Sequence, residues 1–139
     1  MNREAIYSAL FNLVTAAPGL TTTSRTLRHW DSVGPGEMPA LFLAQGNQTA
    51  IAMTHQPTRW LLDSIVWIYV STDGESSPGA ALNPIVDVIT AALDEAFPGQ
   101  PETLGGLVEY ARIEGTIETF EGTLGTLLVC RIPTVMLTT

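Results

Sequence analysis

The chain has 139 residues, 45% of them apolar and only 14% charged, a composition that suits one compact domain. Fourteen acids against six cations leave a formal net charge of −8, which disfavours a general nucleic-acid binder, since phosphate neutralisation drives such binding. Every cation is an arginine (Arg3, Arg25, Arg28, Arg59, Arg112 and Arg131), the side chain of planar ion pairs and interfaces. The lone cysteine, Cys130, excludes an internal disulfide and, ending an apolar run, reads as a buried thiol.

Residues 2–16 place Ile6, Leu10, Leu13 and Val14 at helical spacing, and Pro18 with Gly19 supplies the stop. Glu4, Ser8 and Asn12 interrupt what would otherwise resemble a signal peptide, so this segment reads as an amphipathic helix. No apolar run approaches the ~20 residues that cross a bilayer, which argues against a membrane span. An arginine-bearing segment over 24–30 and a loop with Gly34, Pro35, Gly36 and Pro39 lead to an apolar strand at 40–44, closed by Gly46, Asn47 and Gln48.

Beyond a polar loop holding His55 and Pro57, residues 60–71 give the strongest strand signal of the chain. Both of its faces are apolar: Trp60, Leu62, Val66, Ile68 and Val70 on one, interrupted by Ser64, and Leu61, Ile65, Trp67 and Tyr69 on the other, interrupted by Asp63. Such a sheet is either covered twice or covered by another subunit.

A polar loop at 72–79 precedes a second helix bearing Leu82, Ile85, Val86, Ile89 and Leu93. Its start fits either Ser77 before Pro78 or Asn83 before Pro84, and Phe97, Pro98 and Gly99 end it. Residues 103–115 read as turn, strand and turn, with Val108, Tyr110 and Arg112 on one face and Leu107, Glu109, Ala111 and Ile113 on the other. Glu114-Gly115-Thr116 recurs as Glu121-Gly122-Thr123, two turns bounding a short strand. In the final strand, 123–137, Pro133 implies a bulge or an edge position that could serve as a docking rail. The order predicts an α+β fold, a mainly antiparallel sheet flanked by two helices in a single domain over 1–139.

Catalytic constellations are scarce. His29 and His55 are the only histidines, and with one cysteine they do not complete a zinc site without carboxylates. The acid pairs Asp94/Glu95, Glu109/Glu114 and Asp73/Glu75 read as solvated, and no nucleophile elbow, P-loop or dinucleotide fingerprint occurs. The expectation is a protein that is not an enzyme and uses no metal or cofactor.

Three blocks carry a resemblance: residues 39–43 (PALFL), 81–89 (ALNPIVDVI), and TLGGLVEYARIEG at 103–115 with GTLGTLLVCRIPTVML at 122–137. In order and spacing the chain resembles the tail terminator proteins of long-tailed bacteriophages, the group related in role to the lambda minor tail protein U. The resemblance implies a virion subunit, assembled in the host cytoplasm, that forms a homo-hexameric ring on the last ring of the tail tube protein. It would stop tail polymerisation and offer a joining surface to the head-to-tail connector protein, with DNA only passing through the channel. The alternative is a neighbouring neck or tail-completion protein. Arg25, Arg28, Arg59, Arg112 and Arg131 are read as subunit or partner contacts, pairing with acids such as Asp63 or Glu109 on a neighbour, with Trp67 on the same surface. Loops 46–57 and 72–79 are the expected docking elements.

Overall fold

The computed structural model describes residues 1–72, 77–122 and 125–139. Helix α1 spans Arg3–Val14. Asn2 caps it by accepting the Ala5 N–H at 3.0 Å, and the Thr15 hydroxyl closes its end on the Phe11 carbonyl at 2.7 Å. Ile6, Tyr7, Leu10 and Val14 form its buried stripe. Helix α2 spans Gly79–Ala92 and buries Leu82, Ile85 and Ile89. It therefore starts at the Ser77-Pro78 signal and runs through Pro84, which lies on the exposed face, where water can satisfy the carbonyl that the missing N–H would have bonded.

Six strands build one sheet: β1 Thr22–Ser24, β2 Ala40–Ile51, β3 Arg59–Ser71, β4 Val108–Ile113, β5 Glu118–Glu121 and β6 Leu127–Thr138. The spatial order is β1-β2-β3-β6-β4, with β5 also paired to β6. Among the described residues only the β1–β2 pair is parallel. This is the α+β fold expected, a sheet flanked by two helices.

Three local readings are corrected. Strand β2 does not end at Ala44 but continues to Ile51. Gly46 and Asn47 form a bulge opposite Asp63, after which the ladder resumes at Gln48. Gly46 is required there: a Cβ would sit 3.0 Å from the Asp63 carbonyl oxygen.

Strand β4 does not alternate simply either. A register shift between Val108 and Tyr110 turns Val108 to the side of Ala111, and both are buried in the helix-side core, away from Tyr110 and Arg112.

Pro133 is not on an edge, because β6 is central, with β3 on one side and β4 and β5 on the other. Its carbonyl accepts the Glu114 N–H at 3.3 Å, and a strand residue aims N and C=O the same way, so its missing N–H faces the gap between the β5 and β4 ladders. Gly115, at φ +114°, sits against the proline ring; an added Cβ would come within 3.3 Å of Pro133 Cγ.

The two sheet faces have different fates. One packs Leu41, Leu43, Leu62, Val66, Ile68, Cys130, Ile132 and Met136 against the stripes of α1 and α2. On the other, Val33 with the half-buried Trp30 and Met38 covers Phe42, Tyr69 and Val129, and the Tyr69 hydroxyl donates to the Arg28 carbonyl at 2.7 Å. On the helix side, the buried hydroxyls of Ser64 and Thr134 bond each other across β3 and β6.

Candidate functional site

The loop cover stops part-way. Leu61, Ile65 and Leu137 belong to neither core cluster and stay partly exposed on the sheet face opposite the helices. Cross-strand register puts Ile65 beside Pro133, Asp63 beside Val135, and Leu61 beside Leu137, which neighbours Tyr110. The result is a partly exposed apolar strip around the buried Val135, packed by neither helix and outside the loop-covered cluster.

The expected contact residues frame this surface. Trp67 and Arg131 are directly opposed on β3 and β6, the guanidinium carbon 4.8 Å from the indole centroid, and Arg131 donates to Glu118 at 3.2 Å. The Arg131 Nε is buried without a partner. Arg112 lies 4.1 Å over the Tyr110 ring and donates to Glu114 at 2.8 Å. Arg59 bonds Glu109, so that acid is held within the same chain. Asp63 has no hydrogen-bond or ion-pair partner among the described residues.

Arg25 and Arg28 lie elsewhere. Arg25 bridges from the loop to Glu4 and Ser8 of α1, and its guanidinium holds the Glu4 carboxyl below its usual range. Arg28 grips Glu37 through two bonds of 2.9 and 3.1 Å. That grip, with the Gly34 N–H at 2.9 Å, lowers the Glu37 pKa to about 2, and the same carboxylate raises that of Arg28. The clamp fixes the loop that covers Phe42 and Tyr69. Each of these five arginines thus holds an acid of its own chain at a partly exposed position, where solvent screens the pair and leaves it a small part in stability. They orient surfaces more than they stabilise them.

The docking loops change in extent. Residues 46–51 are strand, so the first loop shrinks to the hairpin connection 52–58; of the second, Asp73 and Glu75 lie outside the described residues, as does Thr123 of the final strand. The sequence reading took 46–57 as a polar docking loop, whereas the structure makes it the end of an extended hairpin: residues 45–58 are all exposed, including the apolar run Ala50, Ile51, Ala52 and Met53. The signal was present in that uncharged run but was read as a polar loop.

His29 accepts the Asp31 N–H on Nδ1 at 3.2 Å, lies 3.6 Å from the Asp31 carboxylate and stacks on Trp30; His55 is exposed in the hairpin connection at φ 65°. A groove of about 450 Å³ between the end of α2 and β4 is lined by Thr90, Leu93, Asp94, Glu102, Tyr110 and Arg112, and neither histidine reaches it. Cys130 is buried, and desolvation pushes its thiol up to about 11, leaving it protonated and unreactive at neutral pH. Among the described residues no group of three metal-ligating side chains converges, and no helix is long and apolar enough to cross a membrane.

A scan against known protein families finds no match, and neither does a search of curated proteins. Solved structures do share the fold. A chain from the "Virion of native gene transfer agent (GTA) particle" superposes with a TM-score of 0.53 at 12% identity, covering 96% of this chain and 91% of its own. A second solved chain gives a TM-score of 0.52 at 14% identity, covering 100% of this chain and 97% of its own. The class defined is therefore a small α+β fold, matched from end to end, that also occurs within a virion.

Proposed function

We propose that this protein is a structural component of a phage-like virion, and that within it the chain caps the tail tube, stops tail polymerisation and presents the head-joining surface. The observation that carries the virion role is the end-to-end fold match, 96% of this chain against 91% of a virion chain. The finer assignment is supported by the sequence resemblance carried by residues 39–43, 81–89, 103–115 and 122–137.

The chemistry of the surface fits a part that works by contact. A cap must occupy the polymerising end of a tube and close around a channel, which calls for copies that recognise one another and for a second surface facing the connector. An open apolar sheet face framed by Trp67, Tyr110, Arg112 and Arg131 supplies aromatic and arginine groups of the kind enriched at interface cores. The net charge of −8 favours DNA passage without capture, since like charge repels the phosphate backbone. We propose a hexameric ring without catalytic activity. Deleting the gene tests the reading: tails should fail to join heads and extend past their normal length. Tails of normal length left unjoined would instead assign the protein to the neck.

A further inference from the structure

We propose that the tip of the β2–β3 hairpin is an arm that docks on the open sheet face of a neighbouring copy of this chain, a head-to-tail contact repeated around the ring. The inference rests on the ring reading above and names the two surfaces that would make it.

The arm is defined by exposure and by charge. Residues 45–58 are all exposed, and Ile51 and Met53 retain 39% and 56% of their accessible surface. From Met38 to Thr58 there is no Asp, Glu, Lys or Arg, so all 14 acids and six arginines lie outside this stretch. Two copies that each carry −8 repel over most of their surfaces. The uncharged arm is where they can approach without that penalty, and it offers apolar side chains beside amide, hydroxyl and imidazole donors from Gln48, Thr49, His55 and Gln56.

The receiving face complements it. Leu61, Ile65 and Leu137 are apolar and partly exposed, and the Asp63 carboxylate among them has no hydrogen-bond or ion-pair partner among the described residues. A neutral arm rich in donors can satisfy that carboxylate, whereas an acidic surface would oppose it.

A chain's own arm does not serve its own face. Register continues through Ala50 opposite Trp60 and Ile51 opposite Arg59, holding the arm in the plane of the sheet. Arm and face are different patches, so the contact is heterologous, and repetition closes a ring when the rotation allows.

The test uses purified full-length protein in a concentration series followed by sedimentation velocity and native mass spectrometry. Wild type should form oligomers. Ile51→Asp with Met53→Asp should give monomers whose melting temperature stays within a few degrees of wild type, because the arm lies outside the core. Leu61→Asp should also give monomers. An equimolar mixture of the arm and face variants should give dimers and nothing larger, since one intact arm and one intact face remain per pair. Assembly of the arm variant like wild type overturns the proposal, as does wild type that stays monomeric throughout, and the arm variant decides alone if Leu61→Asp does not fold. The ring reading is judged separately in the particle: a ring whose arms avoid the neighbouring face overturns the arm and leaves the ring standing.

Discussion

Arg131 lies across the Trp67 ring in a directly opposed cross-strand pair, its guanidinium carbon 4.8 Å from the ring centroid and its Nη1 3.2 Å from Glu118 on the other flank. An arginine in an otherwise apolar strand is thereby accommodated twice, by a π-face and by an acid. Arg131→Ala should lower folding stability by about 1 kcal/mol, the usual size of a partly exposed cation–π contact with an ion pair. Arg131→Lys should recover only part of this, because a point charge does not stack as a planar guanidinium does. Chemical denaturation checks both values. If Arg131 also contacts a neighbour, the alanine variant loses ring assembly and phage titre beyond what its stability explains; unchanged assembly and titre would make it a purely internal residue.

The Arg28–Glu37 clamp makes a pH prediction. The Glu37 carboxyl lies at about 2 against an ordinary value of 4.5. A carboxyl whose folded pKa is depressed favours folding above its unfolded value and loses that contribution as pH falls toward the folded one. Carboxyl-detected NMR should show Glu37 still ionised at pH 3. In Arg28→Ala its midpoint should move up toward the usual carboxylate range, and the indole signal of Trp30 should broaden as the cover over Phe42 and Tyr69 loosens.

Gly46→Ala should destabilise by about 1–3 kcal/mol, the usual cost of forcing atoms into occupied space. The added methyl would meet the Asp63 carbonyl oxygen at 3.0 Å and its Cβ at 3.2 Å. Thermal unfolding measures the loss. Gly36→Ala, with nothing within 4 Å of the new Cβ, is the control and should be near neutral.

Ile89→Ala should cost about 2–5 kcal/mol, as expected where a fully buried branched side chain leaves a cavity. Ile89 is 0% exposed between α2 and the sheet. Denaturant midpoints give the value.

Much of this fold was legible because local signals agreed with global placement. The helical spacing of Ile6, Leu10, Leu13 and Val14 revealed α1, and the β-branched and aromatic run 60–71 revealed β3 within a residue of its observed start at Arg59. The double-sided apolar character of β3 also called for a covering on its second face, by a further layer or by another subunit, and the loop with Val33 and Trp30 supplies part of it. What failed depended on partners remote in sequence. Gly46 and Asn47 look like a terminating turn until Asp63 is known to lie opposite, and Pro133 looks like an edge residue until the gap between β4 and β5 is known to receive it. Of the candidate contact residues, Trp67, Asp63, Arg112 and Arg131 do share one open face, whereas Arg25 and Arg28 brace a loop. The acids they hold, Glu4 and Glu37, were not singled out; the Gly34-to-Glu37 spacing of a capping turn was the available clue to the second.

Electron microscopy of a lysate in which this gene is deleted tests the central claim most directly. The account predicts tails that are unjoined to heads and longer than normal, because nothing occupies the growing end of the tube. Filled heads joined to tails of normal length would contradict it.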